Sequence, residues 1–556
     1  PYVAGLTFSN PLGGIGYIAF AGQDGYSRNL WDTEYNNFSP RLGVAYRIMS
    51  STVMRGGFGR NYTPSNSGFN ANGLIYGTGP FSGGAQSNAY GLAPNGVPIG
   101  RFEDPQNTIL IPAPGAVQAP QIYGNSAAQQ TVDLFRRDFK NGVVDQWNLF
   151  IERSFGKAWL VSVGYVGSHG KNLPWRAFPL GGSFLLPDST LKTWRDTWVA
   201  SNGTSNPASV MVANPVAQLI GKAAGPIGGA TISTQNSLMP HMALLGASVL
   251  GNGGKSNHHA LQFRLEHAYS SGLQMLFTYS WSKTTGLVGG LSNASYAESQ
   301  MASGAATPTG GIDYRNLDNN RGLLAYDVPH RAVTVLSYLL PTGKGKALDP
   351  KNTFVQALVG EWNLGTVVTL QSGQPFGPNC GGMNGRCLED TSAPAEVPKE
   401  LQHWYDGKTS VTLPSGRIVT PGNYTFLKWH PDRFYAPTVR FPNGNYQVDQ
   451  YWWGYTSQYI NGLRTPGLAN VNLTVNRRFQ IVERMQLEFL AEATNLFNRT
   501  NFSPTAVNAG YGAILSVPAN NPNNAKIGQN SNSSSGTLGM TFFEPRIVTL
   551  SLRLRF

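Results

Sequence analysis

Closely spaced pairs of alternating segments, set apart by long polar stretches, constrain this chain more than any other feature. "DQWNLFIERSF" places Trp147, Leu149 and Ile151 on one face and Gln146, Asn148 and Glu152 on the other. "AWLVSVGYVGS" follows after only Phe155-Gly156-Lys157 and aligns Trp159, Val161, Val163 and Tyr165. A period of two means an extended strand, and so short a connection means a hairpin. Leu261, Phe263 and Leu265 repeat the arrangement, turning at Ser270-Ser271-Gly272 into Leu273, Met275, Phe277, Tyr279 and Trp281. Val471, Leu473 and Val475 do so again, turning at Val482-Glu483 into Met485, Leu487 and Phe489, and an earlier pair turns at Met49-Ser50. About eleven such strands can be counted, several reaching the roughly 9–11 residues that a tilted membrane strand needs.

Between the pairs lie stretches rich in Gly, Pro, Asn and Ser, at about 63–142, 169–256, 284–329, 374–468 and 498–542. Several far exceed the ~12–15 residues beyond which a loop is unusual in a compact domain. Short turns alternating with long loops are the signature of a transmembrane antiparallel β-barrel, with short periplasmic turns and long extracellular loops. Alternation alone leaves a soluble β-sandwich open, because a sandwich also has one apolar face. The loop asymmetry favours the barrel, and Trp147, Trp159, Tyr279 and Trp281 suit interfacial girdles. If the last strand descends to the periplasmic rim, every long loop falls outside.

Composition agrees. Charged residues make up 13% of the 556, about half the usual share for a soluble protein. The mean hydropathy of -0.22 does not suit a helical membrane protein, and no apolar run approaches ~18 residues. The net charge of +12 comes from scattered basic residues without a nucleic-acid motif, so nucleic acid is not an expected partner. The chain opens at Pro1 with neither initiator Met nor signal peptide, which reads as a mature product or a fragment.

The two cysteines, Cys380 and Cys387, enclose "CGGMNGRC", expected to be a disulfide-closed loop in an oxidising compartment. A zinc site would need further ligands that are not nearby. No metal, cofactor or catalysis is expected: G-x-S-x-G and H-E-x-x-H are missing, and "GSHGK" fails the P-loop spacing. Adjacent His258 and His259 should point to opposite faces of a strand. Asp318, Arg321, Asp327, His330 and Arg331 stand where a long loop re-enters a strand; they could contact a ligand or calcium, but without the dense oxygen-ligand spacing of an EF-hand loop they read rather as a clamp anchoring that loop to the barrel mouth. Trp429, Trp452, Trp453, Tyr455 and Tyr459 make the 374–468 loop densely aromatic. They suit stacking on a ligand or packing into a loop core, and are the sequence's best candidates for surface recognition.

Several stretches also resemble the Oar-like TonB-dependent receptors of Acidobacteria and myxobacteria. These are "NNFSPRLGVAYRI", "VDQWNLFIERSFGKAWLVSVGYVGSHGKNL", "NHHALQFRLEHAYSSGLQMLFTYSWSK", "DNNRGLLAYDVPHRAVTVLSYLLPTGKG", "GEWNLGTVVTLQSGQPF", "RTPGLANVNLTVNRRFQIVERMQLEFLAEATNLFNRTNF" and "EPRIVTLSLRLRF". Their joint order covers most strands from about residue 36 onward. The resemblance implies an outer-membrane barrel of about 22 strands with an internal plug, energised through TonB, moving a bulky solute such as a glycan, peptide or protein. It also implies a regulatory-like domain, a TonB box and a plug ahead of the barrel, none of them in this sequence. The chain would then be the C-terminal portion of one barrel, about half its strands, the rest being either a separate chain or, as is more expected, lost by truncation. Val548, Leu550, Leu552, Leu554 and Phe556 resemble the C-terminal signal read by the barrel-assembly machinery. The rival expectation is a non-transporting surface protein whose loops serve adhesion or assembly.

Overall fold

The computed structural model describes residues 32–63, 138–179, 186–213, 230–238, 248–287, 321–375, 387–501 and 545–556, with 325, 344, 407, 415, 417, 420–422, 431–432, 457–459, 461 and 483 excepted. Short strands at 2–4, 17–19, 133–135 and 525–526 are described as well.

Eleven long strands form one antiparallel meander: β1 (Arg41–Met49), β2 (Thr52–Thr63), β3 (Gly142–Phe155), β4 (Trp159–Pro179), β5 (Ser248–Ser270), β6 (Leu273–Leu287), β7 (His330–Leu339), β8 (Asn363–Gln371), β9 (Leu468–Val482), β10 (Met485–Thr494) and β11 (Ile547–Arg555). Each pairs with its neighbours in chain order, and β1 and β11 end the path without pairing to each other. The turns are tight for local reasons. Ser271 and Gly272 both take positive φ, at 52° and 83°, which suits the right-handed twist of the flanking strands. The first turn falls on Ser50-Ser51, with Met49 opposite Thr52, one residue later than the sequence suggested.

Register puts the apolar residues on one face. Ile151 stands opposite Val163, Val163 opposite Phe263, and Leu265 opposite both Val161 and Phe277. Nothing of comparable size packs on this face among the described residues, where the other sheets have only two or three strands. Leu149, Ile151, Val163, Leu261 and Leu552 accordingly stay 41–71% exposed. A sandwich would bury such a face under a second sheet. The opposite face is ionic: Arg55 pairs with Glu152 at 3.4 Å, and Glu488 with Arg478 at 3.2 Å and Arg555 at 2.9 Å.

Two glycines let large rings lie flat on the sheet. A Cβ at Gly167 would overlap the Trp147 indole on the apolar face, and one at Gly164 would overlap the Phe150 ring on the other. Gly167→Val should therefore displace Trp147 and cost about 1–3 kcal/mol, read as a lower urea midpoint of the folded protein.

Two sequence expectations need correction. The stretch taken as a loop from 169 to 256 is shorter, because β4 runs on to Pro179 and β5 begins at Ser248. Gly-rich "GSHGK" and "GNGGKSN" lose apolar alternation yet keep pairing through the backbone, with Gly251 opposite Trp175. At 23 residues β5 is about 75 Å long, twice or more the length a tilted strand needs to cross a bilayer. The short-turn rule also fails once. Residues 340–362 connect β7 to β8 and carry the helix α1 (Thr353–Val359), capped by Asn352, whose side chain accepts from the backbone N–H groups of Phe354 and Val355.

Candidate functional site at the long-loop end

The long-loop end holds an ion pair that locks one loop to another. The Asp327 side chain is 1% exposed; Arg464 Nη2 donates to its Oδ2 at 2.6 Å, and the backbone N–H of Thr284 on β6 donates to its Oδ1 at 2.5 Å. Arg464 Nη1 donates to the carbonyls of Asp327 and Gly373. One guanidinium thus ties the loop entering β7, the chain leaving β8 and the segment entering β9. A carboxylate buried this deeply needs such a partner.

The anticipated five-residue clamp reduces to Asp327. Arg321 is exposed, and Asp318 lies outside the described residues. His330 stacks on Tyr279 with ring planes at 16° and shares a 2.8 Å hydrogen bond with its hydroxyl. Arg331, the next residue on β7, faces the other side. His258 and His259 also divide between faces: His258 meets Thr284 Oγ1 at 2.9 Å and His259 meets Tyr165 Oη at 2.6 Å. Arg464 was missed because nothing local marks it; its partner is 137 residues away.

Above the clamp, two long loops fold into a cap. Trp429, Phe434, Trp452 and Leu463 pack around Cys387. A second core joins helix α2 (Asp188–Ala200, earlier in the chain than α1) to the later loop, through Leu191, Trp194 and Trp198 against Val439, Phe441 and Tyr451. Trp198 meets the Phe441 ring edge-on at 5.0 Å. Trp429 is 0% and Trp452 7% exposed, so these two serve the loop core and offer no stacking face. Trp453 is half-buried, Tyr455 is 64% exposed, and Tyr459 lies outside the described residues. Cys387 is disulfide-bonded, and the other cysteine of the chain, Cys380, lies outside the described residues. No group of three His, Cys, Asp or Glu side chains suited to a metal occurs among the described residues.

The model of the outer membrane beta barrel domain matches residues 5–547. The chain belongs to that family. Its place is therefore the outer membrane, and lipid covers the bare apolar face. No curated protein matches the chain. Among solved structures, this barrel domain is similar to the ferric enterobactin receptor PfeA of Pseudomonas aeruginosa, at 10% identity and a TM-score of 0.34, covering 93% of this chain and 40% of that one. It is similar also to the outer membrane transporter YddB of Escherichia coli (7%, 0.31, 82% and 36%) and the ferric-catecholate import receptor Fiu of Escherichia coli (10%, 0.32, 93% and 34%). The chain thus spans 34% to 40% of the length of these proteins.

Within the barrel domain, aromatic side chains gather towards both ends of the lipid face, as interfacial belts do. Trp159 meets His267 edge-on at 4.4 Å near the short turns, while Trp147, Tyr165 and Trp281 lie nearer the cap; Tyr279, opposite Phe263 and so level with Val163, falls between the two belts. A pocket of about 430 Å³ opens under the cap between Tyr165, His259, Trp281, Lys283, Asp327 and Arg464. Tyr165, His259, Trp281 and Lys283 belong to the lipid face by register, which makes it a rim pocket rather than part of a lumen. Val548, Leu550, Leu552 and Leu554 lie on this same face of β11, and Phe556 is 97% exposed.

The cap carries its own titratable joint. Asp449 pairs with Arg195 at 2.7 Å, and burial pushes its carboxyl above the usual carboxylate range. A raised folded value means that the folded cap holds this proton more tightly than the unfolded chain does. The resulting stability is full below the ordinary carboxylate pKa and is lost as pH rises through the raised value. Asp449→Asn should therefore flatten this part of the pH profile of cap melting, followed by the fluorescence of Trp194 and Trp198.

Proposed function

We propose that the chain is the C-terminal part of the barrel of a TonB-dependent receptor that moves a bulky solute across the outer membrane. The observation that carries this reading is the antiparallel meander with a bare apolar face and long loops gathered into a folded cap at one end. The resemblance of the strand sequences to Oar-like receptors supports the energised mode. The free edges of β1 and β11 are met by further strands of the same barrel, since an unpaired edge is untenable in lipid. The cap, with Tyr455 on its surface, captures the solute, and the Asp327–Arg464 joint holds the cap at the mouth. The ionic face lines the interior, where a plug responds to TonB. No reacting group is assigned.

The test compares uptake of fluorescent glycan and peptide libraries in the parent strain, a strain lacking this gene and a strain lacking TonB. Transport predicts that the two deletions lose uptake of the same compounds. An adhesion or assembly protein would instead lose surface attachment in the gene deletion, with every uptake preserved.

A further inference from the structure

Arg477 stands where an arginine is least expected. On β9 it follows Val471, Leu473 and Val475 on the lipid face, precedes Phe479 and faces Phe489 of β10. Asn363 pairs with Asn476, so Trp362, one residue before β8, lies beside Arg477 at the short-turn end of the sheet. The guanidinium sits 4.4 Å from the Phe479 ring centre and 5.7 Å from that of Trp362. Trp362 meets Phe479 and Phe489 edge-on at 6.2 and 5.6 Å, and its indole N–H donates to the Leu358 carbonyl of α1.

Arg477 is only 7% exposed, and its Nε and Nη1 have no hydrogen-bond acceptor. No carboxylate among the described residues forms an ion pair with it; Glu361, next to Trp362, acts on it only at longer range. Ring contacts recover only part of what a desolvated cation loses on leaving water. Packed under the Trp362 and Phe479 rings the guanidinium finds no acceptor, and it gains one when the side chain turns out to the headgroup layer of the periplasmic leaflet. Phe354 and Leu358 of α1, 73% and 52% exposed, add an apolar flank at the same end. Arginine reaching for phosphate beside interfacial tryptophan is how a barrel accommodates a cation near its rim.

We propose that Arg477, Trp362 and α1 form a phospholipid site in the periplasmic leaflet, the guanidinium binding the headgroup phosphate and the rings lying against the glycerol and upper acyl carbons. The site depends on outer-membrane residence, not on transport, so a failed uptake experiment leaves it standing. Protein extracted from its own outer membrane is delipidated and titrated with phosphatidylglycerol, with diacylglycerol and with inorganic phosphate, and bound lipid is counted by native mass spectrometry. Phosphatidylglycerol should bind at least about tenfold more tightly than diacylglycerol, and Arg477→Gln should remove that preference. Arg477→Lys, which keeps the charge, should retain part of it and serves if the glutamine variant does not insert. Equal binding of both lipids, or an unchanged preference in the folded variants, overturns the site. Displacement of the lipid by an equal concentration of inorganic phosphate would make this a free-anion site and overturn the lipid assignment.

Discussion

Val163→Arg, on the bare face of β4, is expected to destabilise the inserted protein by about 2–4 kcal/mol, the cost of a cation near the bilayer midplane. That shifts the folded-to-unfolded ratio by about 30- to 900-fold. Val163 is 41% exposed and stands between Ile151 and Phe263, well away from both free edges of the sheet. On a water-facing surface the same change would be close to neutral. Asn148→Arg supplies the control, being on the opposite, polar face of β3, and should change stability by less than about 0.5 kcal/mol. Urea titration in lipid vesicles, following the heat-sensitive gel migration of the folded form, reads both.

Asp327→Ala should be the most damaging single change at the mouth, at about 3–5 kcal/mol, because it strands the Arg464 guanidinium and the Thr284 N–H together. Its effect is local. Residues 372–467 should become sensitive to added protease on intact cells while the meander stays folded. Asp327→Asn keeps an acceptor for Thr284 and should lose less. Adding Arg464→Ala to Asp327→Ala should cost little more than the single change, since both remove the same joint.

The strands were legible because lipid imposes a period of two, and residues such as Leu149, Val163 and Leu261 obey it wherever the wall crosses the bilayer. Legibility stopped where lipid stops. The upper parts of β4 and β5 pair through Gly-rich backbone with no apolar face to report them. The 340–362 connection escaped notice because its helix is only seven residues long. The cap was illegible for a different reason: its contacts join distant segments, as in the hydrogen bond from Tyr451 Oη to Asn206, 245 residues apart. No local pattern distinguishes Trp429, sealed in a core, from Tyr455, open to solvent. The same holds for Asp327, which the sequence grouped with its near neighbours while its partner lay in another loop.

Lipid contact on one face of the meander is the central claim, and label scanning along β6 tests it most directly. Single cysteines at Met275, Phe277 and Tyr279, and at Gln274, Leu276 and Thr278, would carry an environment-sensitive fluorophore in protein held in lipid bilayers. The first three should be quenched by a nitroxide on the lipid acyl chain, and the second three by a water-soluble quencher, alternating at every step. Uniform water quenching along β6, or the opposite phase, would contradict the account.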